Sequence, residues 1–147
     1  MLLVTSCAAP IQMKIEESKV SKKILTNGDY FYYHGKSYHY NTEGARVIES
    51  LTYNLPEAKF EIESYHTKAG SATMYRVLSI GCAAAGTFLD YEKRNNTTYE
   101  EETNNNYGLY LWGVAGLFTI MEFGEEGNAK ECLKKAIMYY NKGLAGK

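Results

Sequence analysis

Three cysteines, three histidines and a run of glutamates are the residues of this 147-residue chain whose types could do chemistry. Cys7, Cys82 and Cys132 are scattered with no CxxC pair, which implies neither a zinc site nor a disulfide framework. Cys82 lies inside a block of small residues and Cys132 on an apolar helical face, where a thiol serves as a small apolar side chain. His34, His39 and His66 have no carboxylate cluster to join and read as surface residues. Glu100, Glu101 and Glu102 are consecutive, so on any regular element their side chains diverge instead of converging on one substrate. Gly81 and Gly86 are not followed by the Lys-Ser or Lys-Thr of a phosphate-binding loop, and GxSxG, HExxH and the dinucleotide fingerprint are absent. The expectation is a non-enzymatic protein with no catalytic residue, no metal, no cofactor and no small-molecule substrate. A net charge of −1 without an arginine-rich stripe gives no general attraction to nucleic acid, and no such partner is expected.

What the sequence does carry is a packing pattern. Two apolar stretches, Val77 to Leu89 and Tyr107 to Met121, contain no ionisable group and are joined by a polar segment with five acids and two bases between Asp90 and Glu102. The first holds Gly81-Cys82-Ala83-Ala84-Ala85-Gly86; the second carries Gly108, Gly113 and Gly116 among large apolar residues. Small residues let two helix backbones approach closely in lipid, where packing holds helices together. Gly81, Ala84, Ala85, Gly86, Gly108, Gly113 and Gly116 are therefore the expected helix-packing residues. The stretches fall short of the ~20 residues of a full helical span, but Tyr75, Tyr91, Tyr107, Tyr110 and Trp112 stand at their ends, as in a membrane boundary belt. Membrane insertion is the expected outcome; a buried hairpin in a soluble helical protein is the alternative.

The remaining segments must position this hairpin. Residues 8–28 read as a linker. Residues 29–73 read as a small aromatic β-hairpin plus helices: Tyr30-Phe31-Tyr32-Tyr33 and Lys36-Ser37-Tyr38-His39-Tyr40 flank the two-residue turn His34-Gly35. Asn41 or Thr42 caps a short helix carrying Val47, Ile48 and Leu51, and Pro56 opens a second, with Asn54 upstream as its cap and Ala58, Ile62, Tyr65 and Ala69 on one face. Residues 74–123 hold the apolar hairpin. Residues 124–147 hold an amphipathic C-terminal helix, set off by a break or kink between Gly124 and Gly127, with Ala129, Cys132, Leu133, Ala136, Ile137 and Tyr140 on its apolar face and Lys130, Lys134, Lys135 and Lys142 on the other. That helix is expected to pack on the one starting at Pro56; lying along a lipid headgroup surface with its lysines on the polar face is the alternative. The predicted fold is mainly α: a long antiparallel two-helix hairpin with a membrane-embedded tip, and a small aromatic β-hairpin and short helix near the N-terminus.

Residues 1–7 add a chemical signal of another kind. Val4-Thr5-Ser6-Cys7 resembles a bacterial lipobox, although only six residues, with no positive charge, precede the cysteine. The stretch from about Tyr30 to Asn141, with Asn54-Leu55-Pro56-Glu57-Ala58, the Gly- and Ala-rich hairpin and Lys134-Lys135-Ala136-Ile137-Met138-Tyr139-Tyr140-Asn141, looks like the small envelope lipoproteins and membrane proteins common in Bacteroidota. More loosely, lipobox plus glycine-rich hairpin is similar to glycine-zipper outer-membrane lipoproteins, without their regular glycine at every fourth position. These resemblances imply lipidation at Cys7, an outer-membrane anchor facing the periplasm, and a structural or accessory subunit that contacts membrane lipid and packs against itself or a larger membrane protein complex. A soluble or peripheral protein-binding module with the hairpin as its core is the alternative.

Overall fold

The computed structural model describes residues 22–95 and 106–146. Cys7 and Glu100 to Glu102 lie outside the described residues. The described chain is mainly helical, with a small three-stranded antiparallel sheet followed by a short helix and a long helix pair. The elements are β1 (Leu25–Asn27), β2 (Tyr30–Tyr33), β3 (Lys36–His39), α1 (Thr42–Thr52), α2 (Pro56–Asn95) and α3 (Tyr107–Ala145). They fall into two compact units, residues 22–66 with 129–146 and residues 67–128.

In the first unit the strands run in the order β1-β2-β3, with Phe31 opposite Thr26 and Tyr38, and Tyr33 opposite Lys36. His34 and Gly35 both take positive φ (47° and 75°), the geometry of the two-residue turn whose twist matches the strands it joins. At the β1–β2 turn Gly28 supplies the positive φ (58°). Neighbouring residues of a strand face opposite sides, yet Phe31 and Tyr32 are both buried, so the central strand is covered on both faces. On one face lies α1: a Cβ at Gly44 would overlap the His39 carbonyl oxygen and lie 2.9 Å from the Phe31 ring, so only glycine lets the helix approach this closely. Asn41 caps α1, its Oδ1 accepting from the Gly44 N–H at 3.0 Å.

The C-terminal half of α3 holds the start of the sheet. The Asn141 side chain acts as a substitute strand: its Oδ1 accepts from Ile24 N–H at 2.9 Å and its Nδ2 donates to Ile24 C=O at 2.8 Å. The Tyr140 hydroxyl donates to the Lys22 carbonyl at 3.2 Å. Ala129, Cys132, Leu133, Ala136 and Ile137 are buried with Ala58, Ile62 and Tyr65 of α2 and Ala45 and Ile48 of α1, as their helical spacing predicts.

Three expectations are corrected here. The segment read as a linker contributes β1 from Leu25, which pairs with β2 across the Gly28 turn; three residues are too short a run to display strand alternation, and the Asn141 bonds to the preceding Ile24 come from 117 residues away. The break at Gly124 to Gly127 does not occur: α3 runs unbroken from Tyr107 to Ala145, since glycine lowers helix propensity by only ~1 kcal/mol per residue and packing overrides that. Leu55, not Asn54, stands in the cap position before α2, its carbonyl accepting the first helical bond from Lys59 N–H at 2.9 Å.

Candidate functional site

Within residues 67–128, α2 and α3 run antiparallel along a narrow seam. Ser79 ties it at mid-length: its hydroxyl contacts the Ala115 carbonyl at 3.0 Å and the Thr119 hydroxyl at 2.8 Å, while Thr119 also bonds back to Ala115 at 3.0 Å. Nearer the C-terminal end of α2, Gly86 faces α3 so closely that a Cβ would stand 3.0 Å from the Gly108 carbonyl oxygen and 3.2 Å from the Trp112 ring. The Asp90 carboxylate occupies the place where a Gly108 Cβ would go. It thereby sets a negative charge beside the first turn of α3, where the helix dipole favours one. At the other end Tyr75 stacks on Phe118 with ring centroids 6.1 Å apart.

Charges gather only beyond this seam. Arg76 binds two carboxylates, Nε to Glu122 Oε1 and Nη2 to Glu126 Oε1, each at 2.5 Å, and Lys68 lies 3.6 Å from Glu125. At the C-terminal end of α2 stand Asp90, Glu92, Lys93 and Arg94, all exposed. Between these two groups neither helix carries a charge. The serine and threonine hydroxyls of this interval, Ser79, Thr87 and Thr119, are all hydrogen-bonded, Thr87 to the Ala83 carbonyl at 2.8 Å.

The outer surface of the pair is apolar on flank after flank. Val77, Leu78, Ile80, Phe88 and Leu89 of α2 and Leu109, Tyr110, Trp112, Val114, Leu117, Ile120 and Met121 of α3 are all exposed, Leu109 and Ile120 to 70%. At about 100° per residue they spread over an arc of roughly 180–200° on each helix, the half turned away from the seam. By length and composition α2 passes as a candidate membrane span over Pro56–Arg94, and only 11% of its most apolar 18-residue window is buried.

The expected helix-packing residues divide. Gly86 and Gly108 lie in the seam. Cβ atoms at Gly81, Gly113 and Gly116 would meet nothing within 4 Å, and Ala84 and Ala85 are exposed. A run of six consecutive small residues winds more than once around a helix, so only those spaced by three or four share a face. The seam residues that the expectation missed are Ala72, Ser79, Ala115 and Thr119, with Glu122 at its charged end. A signal for them exists in the sequence: Ala72, Ser79 and Gly86, and Gly108, Ala115 and Glu122, each recur at seven, the period of a helix-pair seam.

Elsewhere, in the first unit, a cleft of about 450 Å³ is lined by Thr26, Gly28, Tyr40, Lys134, Ile137, Met138 and Asn141. Lys134 stands over the Tyr40 ring at 5.9 Å and pairs with Glu131 at 2.6 Å. Tyr40 is buried, its hydroxyl has no hydrogen-bond partner, and desolvation, then the charges of Glu131 and Asp29, push its pKa up to about 12. The histidines lie apart: His34 on its turn, His39 against Tyr30 at 4.1 Å, His66 at 3.8 Å from Glu49. Among the described residues no group of three or more His, Cys, Asp and Glu could hold a metal ion. Cys82 is half-buried and Cys132 buried.

The fold and seam define a class: a mainly helical protein built on a long antiparallel helix pair with a small sheet at its N-terminal side. The chain matches no protein-family model, and no curated protein or solved structure shows significant similarity to it.

Proposed function

We propose that this protein is a non-enzymatic lipoprotein of the bacterial envelope, anchored through Cys7 and inserted by the α2–α3 hairpin, serving as a structural or accessory subunit that packs against itself or a larger membrane protein. The observation that carries the insertion is the exposed apolar band between Arg76 and Asp90 on α2 and between Tyr107 and Glu122 on α3. Large apolar side chains face outward along both helices, charges stand only at the two ends, and the serine and threonine hydroxyls within the band are hydrogen-bonded. That combination suits hydrocarbon, which offers polar groups no partner and apolar groups no penalty. A hairpin serving as the core of a soluble protein would bury this window; here 11% of it is buried. A single acyl chain at Cys7 binds membranes only weakly, so the hairpin supplies the second attachment.

The test is flotation of the full chain with phospholipid vesicles, followed by extraction at high salt and alkaline pH. Retention on the vesicles supports insertion; a protein that stays soluble and monomeric without detergent contradicts it. Mass spectrometry of the native N-terminus decides the anchor: a mature chain beginning at Cys7 with acyl mass supports it, and an intact, unacylated Met1 contradicts it.

A further inference from the structure

The apolar band has a definite length, and the two helices agree on it. On α2 the charge-free interval between Arg76 and Asp90 is Val77 to Leu89, thirteen residues; on α3 it is Tyr107 to Met121, fifteen residues ending at Glu122. At ~1.5 Å of rise per residue these are about 20 Å and 22 Å. The pairing keeps the two intervals level, because Arg76 bonds Glu122 across one end and the Asp90 carboxylate abuts Gly108 at the other. Aromatic residues stand near the same limits: Tyr75 and Phe123 beside the Arg76 group, Tyr91, Tyr107 and Tyr110 beside Asp90. Tyrosine there places an apolar ring and a wet hydroxyl at a lipid boundary.

Neither limit can slide inward. Arg76 holds Glu122 and Glu126, each at 2.5 Å, so carrying Arg76 into hydrocarbon carries both carboxylates with it. At the far end Asp90, Glu92, Lys93 and Arg94 are exposed and follow one another within a turn and a half of helix. The hydrocarbon of an ordinary bilayer is ~30 Å thick, and the band falls short of that by about a third. We infer that the hairpin is built for a thin, fluid phospholipid bilayer with short acyl chains, whose hydrocarbon matches the interval between the Arg76–Glu122–Glu126 cluster and Asp90. The inference rests on the insertion proposed above and names the lipid it selects. A second copy of the chain is the weaker occupant: one neighbouring helix pair covers one flank, and here the exposed apolar residues extend around both helices.

Hydrophobic mismatch costs a fraction of a kcal/mol for each ångström, so a difference of several ångströms between bilayers is measurable as partitioning. The full chain is equilibrated with fluid phosphatidylcholine vesicles whose two monounsaturated acyl chains have 14, 18 or 22 carbons, and the bound fraction is read by flotation. Partitioning should fall with each step of chain length and be at least ~10-fold tighter for 14 than for 22 carbons. Equal partitioning across the series, or a preference for 22 carbons, overturns the thin-bilayer inference while leaving insertion intact. Failure to float with any vesicle, or a soluble oligomer that ignores lipid, overturns insertion and this inference together.

Discussion

At the scale of single residues, close approach between helices depends on which small side chains sit in the seam, and being small is not enough. Gly86→Ala places a methyl 3.0 Å from the Gly108 carbonyl oxygen, a backbone atom that can yield only if the helices separate. We expect it to destabilise the hairpin by ~1–3 kcal/mol, whereas Gly113→Ala and Gly116→Ala, with open space at their Cβ positions, should be neutral or stabilise it through helix propensity by up to ~1 kcal/mol. Ala84→Leu and Ala85→Leu fall on exposed positions and should leave the hairpin unchanged. Thermal unfolding of the five variants in detergent orders them; equal losses at Gly86 and Gly113 would contradict the seam. Tyr40 supplies a second residue-scale case. Its hydroxyl is buried without a partner, so Tyr40→Phe removes an unsatisfied group and should be neutral or stabilising by up to ~1 kcal/mol near neutral pH, measured by urea unfolding. Burial raises Tyr40 and Tyr140 from about 10 to about 12, so the folded state holds their protons more tightly than the unfolded state. Their contribution is fully present below pH 10 and is lost as pH rises through 12. Tyr40→Phe should therefore lessen the fall in stability between pH 10 and 12; an unchanged alkaline profile would contradict that assignment.

Elements are held here by a few distant polar contacts laid over strong local patterns. Asn141→Ala leaves the N–H and C=O of Ile24 without their partner and should cost ~1–3 kcal/mol, with loss of amide protection at Ile24 in hydrogen exchange. Preserved protection at Ile24 would show that β1 does not depend on that side chain. These contacts also mark the limit of what sequence reveals. The hairpin turn at His34-Gly35, the cap at Asn41, the start of a helix at Pro56 and the buried faces of all three helices follow from neighbours within a few residues, and the structure has them as expected. Strand β1 pairs with β2 close by in sequence, but Leu25-Thr26-Asn27 is too short to display alternation, and the Asn141 bonds that hold the preceding Ile24 come from the far end of the chain. The seam lies between these extremes. Its close approach was legible in the glycine and alanine content, but the facing residues had to be chosen by the seven-residue recurrence of Ala72, Ser79 and Gly86, which a conspicuous block of small residues obscures. Arg76, Glu122 and Glu126 were visible as charges beside the apolar stretches; their pairing across 46 and 50 residues was not.

For the molecule as a whole, the claim that matters is that the exposed apolar band meets hydrocarbon. Surfaces of this extent are uncommon on soluble monomers, because contiguous apolar area in water promotes association. The chain contains one tryptophan, Trp112, and it stands within the band on α3, 47% exposed. It lies five residues from Tyr107 and ten from Glu122, about 8 Å and 15 Å along the helix. Trp112 thus reports on the surroundings of the band in the unmodified protein. The direct measurement is quenching of its fluorescence after the full chain is mixed with phospholipid vesicles, by bromine atoms on the lipid acyl chains and separately by iodide in the aqueous phase. Insertion predicts a blue-shifted emission, strong quenching by acyl-chain bromines and protection from iodide. Emission that stays as accessible to iodide as before the vesicles were added, and indifferent to brominated lipid, would contradict it.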